Sequence, residues 1–159
     1  MKIWMAPGGL HVAPATTGDA EALARLHETA FYRGWPASEF AAYVSDPDRT
    51  PGYAAIDKKR RLAGFAMLRL AADEAELLTI VVDPKWRGKG VGAALLRATL
   101  DDLLMSPVRR MFLEVETDNR PAIALYNTFG FTEIAQRKGY YAKPDGAPAT
   151  ALVMRRELD

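Results

Sequence analysis

A carboxylate, a phenol and a run of glycines are the residues of this 159-residue chain best suited to chemistry. The stretch Arg110 to Glu116, RMFLEVE, reads as a strand. Met111, Leu113 and Val115 point one way along it; Phe112, Glu114 and Glu116 point the other. A carboxylate near the end of a strand expected to be covered on both faces is costly unless it is paired, hydrated or at work. Glu114 is therefore a candidate general base, or else a solvated residue at an open strand end. Glu116, one step nearer the following turn, reads as a plain surface charge. Tyr126 lies two turns into the next helical stretch. Its phenol can donate a proton where a phenylalanine could only pack, and a core tyrosine is the alternative.

The glycines stand in a loop between a strand and a helix. Leu77 to Val82 is short and apolar and is stopped by Asp83-Pro84, as a buried strand is. From Gly90 onward, Val91, Ala94, Leu95 and Ala98 fall at helical spacing. Between them come Arg87, Gly88, Lys89, Gly90, Val91, Gly92 and Ala93. A helix start leaves backbone N–H groups without partners and carries partial positive charge, which makes it an anion site. Glycines at alternate positions remove the Cβ atoms that would hold a diphosphate away. Arg87 and Lys89 add full charges. The expectation is a pyrophosphate cradle, with a tight turn ahead of a core helix as the plainer alternative. Gly88-x-Gly90-x-x-Ala93 also fits the dinucleotide fingerprint, whereas the Walker loop fails because Gly90, not Ser or Thr, follows Lys89.

Composition narrows the field. Lys plus Arg is 21 and Asp plus Glu is 20, leaving a net charge of +1 and no global attraction to nucleic acid or an anionic membrane. The four cations Lys58 to Arg61 read as a solvated hairpin turn rather than a nucleic-acid tip. The chain has no cysteine, which excludes disulfides, thiolate metal sites and a cysteine nucleophile. His11 and His27 lie apart and make no metal site by themselves. His27, beside the apolar stripe of the first helix, reads as a satisfied surface or core histidine. No apolar run reaches the ~18 residues of a membrane span, and the N-terminus lacks a signal-peptide core. A cytoplasmic protein of one domain over residues 1–159 is expected, with 1–9 as a loose lead-in.

Seven strands are expected: Leu10 to Ala15, Gly52 to Asp57, Leu62 to Ala71, Leu77 to Val82, Arg110 to Glu116, Phe131 to Gln136 and Ala151 to Glu157. Helices are expected from about Thr17 to Phe31, from a Ser38 cap to Val44, from Gly90 to about Met105 and from about Arg120 to Phe129. Trp35, in the break between the first two, either lines a substrate groove or packs between helices. The order describes a mixed sheet with helices on both faces.

Val82 to Leu96, VDPKWRGKGVGAALL, resembles the acetyl-CoA motif of the GNAT N-acetyltransferase superfamily, [RQ]-x-x-G-x-[GA], at Arg87 to Gly92. Leu113-Glu114-Val115-Glu116-Thr117-Asp118-Asn119, then Ala122 to Phe131, AIALYNTFGF, is similar to the continuation in RimI-type ribosomal-protein-alanine N-acetyltransferases. So are Gly139-Tyr140-Tyr141 and, at altered spacing, Ala30-Phe31 with Trp35 and Phe40. The resemblance spans nearly the whole chain.

It implies an α/β (α+β) fold whose mainly antiparallel sheet of about seven strands is splayed at the acetyl-CoA site. Backbone groups of Ile80, Val81 and Val82 would hold the pantetheine arm and acetyl carbonyl, and Gly88 to Ala93 the pyrophosphate. Asn119 would contact the cofactor arm. Glu114 would be general base and Tyr126 general acid, without a metal. Trp35, Tyr140 and Tyr141 would flank the acceptor, a protein N-terminus such as that of a ribosomal protein; a monomer or weak dimer is expected. Two departures touch the acceptor side. Ala147-Pro148-Ala149-Thr150 lacks the acidic pair that precedes the family's last strand, and Gly34-Trp35-Pro36 puts proline after the tryptophan instead of before it. A lysine or small amine is thus an alternative acceptor. A nucleotide-binding module without catalysis is a third reading, resting on the glycine pattern alone.

Overall fold

The computed structural model describes residues 2–31, 33–142 and 148–158, with only the backbone at 140–142 and 148–149. One sheet of eight strands runs through it. In chain order the strands are β1 (Trp4–Met5), β2 (His11–Pro14), β3 (Gly52–Ile56), β4 (Leu62–Ala71), β5 (Glu74–Val82), β6 (Arg110–Glu116), β7 (Thr132–Ala142) and β8 (Pro148–Glu157). The spatial order is β1-β2-β3-β4-β5-β6-β8-β7. Only β5 and β6 pair in parallel, because α3 (Val91–Leu104) crosses over between them. The expected mainly antiparallel sheet of about seven strands is present, with the two-residue β1 added at its edge. The lead-in expected to be loose through Gly9 holds β1, which pairs with β2 through Trp4↔Val12 and Met5↔His11.

Helices cover both faces. On one side α1 (Ala20–Glu28) and α2 (Ala37–Val44) lay Leu23, Leu26, Phe40 and Val44 onto Phe65, Met67 and Val81. A short 3-10 turn, Thr17–Asp19, leads into α1, and Asp19 closes a capping box with Thr16. Arg60 reaches Asp19 from the β3–β4 turn at 2.8 Å, so that turn is pinned to α1 instead of standing free in solvent. Pro36, not Ser38, occupies the cap position of α2.

On the other side α3 buries Val91, Ala94, Leu95 and Ala98, the spacing read from the sequence, together with Leu96, Thr99, Leu100 and Leu103. Its apolar neighbours are Tyr53, Ala66 and Leu68 of the sheet, Met111, Leu113 and Val115 of β6, and Tyr126 of α4 (Arg120–Thr128).

Two irregularities in β5 set up the site. Met67 pairs with Thr79 and Leu68 with Leu77, so Leu78 is an extra residue, a β-bulge. The bulge inverts the strand. Ala75 and Leu77 pack on the α3 side before it, whereas Ile80 and Val82 pack there after it. Pairing with β6 stops at the same place: the register runs from Glu74↔Arg110 to Leu77↔Leu113 and goes no further. Beyond that point β5 continues with β4 as far as Val82↔Gly64, and β6 with β8 as far as Glu116↔Ala151. The strands part, and a wedge opens between Leu78–Val82 and Glu114–Glu116.

Candidate active site

The wedge leaves the β6-facing edge of β5 from Leu78 to Val82 without a strand partner, and this edge carries Ile80, Val81 and Val82. Backbone groups in a sheet interior are normally paired, so the edge is a ready surface for an extended ligand. Thr79, on the same stretch, is buried, and its hydroxyl has no hydrogen-bond partner among the described residues.

At the end of β5 a 3-10 turn, Pro84–Trp86, is capped by Asp83, whose side chain accepts from the N–H of Lys85. The loop then enters α3 through Gly90, a left-handed cap at φ +87°. Among the described residues, no acceptor takes the N–H groups of Gly88, Lys89, Gly90, Val91, Gly92 or Ala93. Six successive free donors at a helix N-terminus fit a diphosphate. A Cβ at Gly88 would meet nothing within 4 Å, so the space above the loop is open. Lys89 lies over the Trp86 ring with its ammonium 5.5 Å from the centroid. Arg87 Nε donates to the Val82 carbonyl at 3.3 Å, tying the cradle to the end of β5.

Helix α4 borders the cradle, with Leu125 beside Gly92, where a Cβ would come within 3.3 Å. Asn119 caps α4, accepting from the N–H of Ala122 at 3.3 Å. Tyr126 is the one fully buried residue of α4 and packs edge-on against Phe131 at 6.0 Å. Burial raises the pKa of its phenol, which keeps the proton on.

Glu114 projects from the other face of β6. The strand was expected to be covered on both faces, yet α1 and α2 pack only over the β4–β5 side, and Glu114 lines an open groove of about 340 Å³. Phe112, Val153 and Ala75 help to line it. The carboxylate is 24% exposed and forms an ion pair with Arg137, Oε1 lying 3.0 Å from Nη1. Arg137 was not singled out in the sequence, where it is one cation among 21.

His27 is 1% exposed and is stacked between Phe31 and Trp35, with ring centroids 4.3 and 4.6 Å away. Its Nδ1 accepts the backbone N–H of Trp35 at 3.1 Å, whereas Nε2 is buried without a partner. Desolvation lowers its pKa to about 4. Trp35 thus packs between α1 and α2, against His27, Phe40 and Tyr43. The side chains of Tyr140 and Tyr141 lie outside the described residues, as do residues 143–147 of the loop that was expected to differ from the family. A larger cleft of about 600 Å³, between Trp4, Tyr53, Asp102 and Met105, sits at the opposite end of α3 from the cradle. Among the described residues no group of metal-ligating side chains comes together, and no helix is long and apolar enough to cross a membrane.

Comparison with known proteins follows the same lines. A family model described as the acetyltransferase (GNAT) family matches residues 20–131. The [ribosomal protein bS18]-alanine N-acetyltransferase of Escherichia coli strain K12 is 33% identical over 135 residues, covering 85% of this chain and 89% of that protein. The N-alpha-acetyltransferase RimI of Mycobacterium tuberculosis is 34% identical over 152 residues, covering 92% and 91%. The crystal structure of the ribosomal-protein-S18-alanine N-acetyltransferase from Escherichia coli superposes with a TM-score of 0.86 at 31% identity, covering 94% of each chain.

Proposed function

Because the chain belongs to the GNAT acetyltransferase family, with acetyl-CoA as its acetyl donor, we propose that it acetylates the N-terminal α-amino group of a protein, a ribosomal protein being the foremost acceptor class. The observation that carries this reading is the parting of β5 from β6 after Leu77 and Leu113. The partnerless N–H groups of 88–93 stand at one end of it and the open groove at Glu114 at the other. The ribosomal acceptor class rests on the relative whose name states it, and the α-amino group also on the N-alpha-acetyltransferase.

The residues take the following roles. The N–H groups from Gly88 to Ala93, with Arg87 and Lys89 beside them, hold the diphosphate. The free edge at Ile80, Val81 and Val82 hydrogen-bonds the extended arm, and Asn119 borders it. When bound, acetyl-CoA supplies the thioester carbonyl that the amine attacks. An α-amino group has a pKa of ~7.7–8.0, so much of it is protonated at neutral pH and must first lose a proton. Glu114 takes that proton, directly or through one water. A main-chain N–H near Val82 donates to the carbonyl oxygen as negative charge develops there. Tyr126 gives its proton to the departing sulfur. Tyr140 and Tyr141 flank the acceptor, whereas Trp35 is held between α1 and α2.

The test is CoA release with two peptides, one bearing a free N-terminal alanine, the other a blocked terminus and an internal lysine. Turnover on the first alone is expected. Turnover on the second alone would transfer the assignment to side-chain amines, the reading that the missing acidic pair in Ala147 to Thr150 favours.

A further inference from the structure

We infer that Arg137 is a positioning residue for acetyl transfer: it fixes one oxygen of Glu114 so that the other is the proton acceptor, and it does so from the strand that carries Tyr140 and Tyr141. This rests on Glu114 being the base. Arg137 belongs to β7 and Glu114 to β6, with β8 between them. Glu114 pairs with Val153 of β8, and Arg137 with Ala151, two residues along. The guanidinium therefore reaches diagonally across one whole strand to bring Nη1 to 3.0 Å from Oε1. Both side chains and Val153 border the open groove. Oε1 is thus the oxygen held against the guanidinium.

Three physical points turn this contact into a role. An unpaired glutamate on an open sheet face samples several rotamers, and a base must sit within hydrogen-bond reach of its proton. Arginine stays protonated under all working conditions, so it cannot take the amine's proton itself; the carboxylate is the only acceptor of the pair. At 51% and 24% exposure, the pair contributes little to stability. A catalytic loss on removing Arg137 is then not a folding loss. The same strand passes through a bulge at Gly139, φ +66°, between Lys138 and Tyr141, before reaching the tyrosines proposed to flank the acceptor. Base orientation and acceptor contact are thus built on one strand.

The experiment is a double-mutant cycle on the full chain with Arg137→Gln, Arg137→Lys and Glu114→Gln. It reads kcat and KM for the alanine peptide, acetyl-CoA affinity by calorimetry, and Tm. Arg137→Gln is expected to lower kcat by about tenfold or more, within the range of a misaligned acid–base group. Acetyl-CoA affinity and Tm should hold, and Arg137→Lys should restore most of the loss. In the Glu114→Gln background, Arg137→Gln should cost nothing further, because residues acting as a unit are non-additive. Equal losses in both backgrounds, or a loss confined to acetyl-CoA affinity, would overturn the inference. A damaged Glu114→Gln beside an unaffected Arg137→Gln would remove Arg137 and leave the base in place. An unaffected Glu114→Gln would bring down the base and this inference with it.

Discussion

Glu114 and Tyr126 lie on opposite faces of the sheet at the point where β5 and β6 part. Tyr126 packs with Leu113 and Val115, and Glu114 projects between those two residues toward the open groove. An amine arriving from the groove meets Glu114 first, and a sulfur leaving toward α4 meets Tyr126. The two groups therefore serve different protons. Glu114→Gln is expected to lower kcat by roughly 10²- to 10⁴-fold. Its rate should recover above pH ~8, where the acceptor amine is already neutral. Tyr126→Phe should lose about 10²-fold without recovery at high pH. Its Tm should hold, since the ring that packs against Phe131 is kept. Steady-state rates from pH 6 to 10 check this, and losses below tenfold in both variants refute the assignment.

His27 couples stability to pH. Its folded pKa of about 4 lies below the unfolded value of 6.5, because burial disfavours the cation. Between those values the unfolded chain binds more protons, so stability falls as the pH falls. The effect is absent above 6.5, grows below it and is complete near 4. At ~1.36 kcal/mol per unit, the full loss is about 3 kcal/mol. Urea midpoints of the wild type are expected to drop between pH 7.5 and 5. His27→Phe should be weaker at pH 7.5, having left the Trp35 N–H unpaired, yet flat across the same window. The lowered carboxyl of Asp19 does not interfere, since its contribution is lost only below its unfolded value of 3.8.

What the sequence made legible was local. The cradle depends on residues adjacent in the chain, and its glycines, charges and helix start could be read directly. The buried stripe of α3 and the alternation of β6 could be read for the same reason. The bulge at Leu78 could not, because LLTIVV is apolar apart from Thr79 and has no alternation to break. Nor could β1, whose two residues are too few to show a period. The surroundings of Glu114 depend on which part of the sheet α1 and α2 cover, a tertiary outcome. Arg137 meets Glu114 only because β8 inserts between β6 and β7. The left-handed Gly88 and Gly90 lie within the motif already read, but Gly64 carried no signal at all.

Gly64 and Gly88 separate folding from binding. A Cβ at Gly64 would stand 2.9 Å from the Val81 carbonyl oxygen and 3.2 Å from Val91 and Leu95. The backbone there cannot yield easily, so Gly64→Ala should cost about 1–3 kcal/mol as an overpacking change. Gly88 has φ +74° and open space around it. Gly88→Ala should lose only about 1–2 kcal/mol from the left-handed strain. Acetyl-CoA affinity should nevertheless fall at least tenfold, because the methyl enters the space assigned to the diphosphate. Thermal melts paired with calorimetry test the contrast. A Gly88→Ala protein that binds acetyl-CoA normally would refute the cradle.

Gly8 reaches the same site from the far end of the chain. At φ +69°, a Cβ there would stand 2.7 Å from Trp86, and the adjacent Pro7 ring lies 3.6 Å from where a Cβ on Gly90 would be. The N-terminal segment is thus packed against the cradle, and the Trp86 ring also carries the Lys89 ammonium. Gly8→Ala must displace either Trp86 or residues 7–9. If Trp86 moves, Lys89 and the loop entering α3 move with it, and acetyl-CoA affinity is expected to weaken several-fold, about 1 kcal/mol. The KM for the peptide should not change, because the acceptor groove lies on the other face of the sheet. Calorimetry and peptide kinetics on the one variant decide the matter. A change in peptide KM alone would show that the N-terminal segment acts on the acceptor rather than on the cradle.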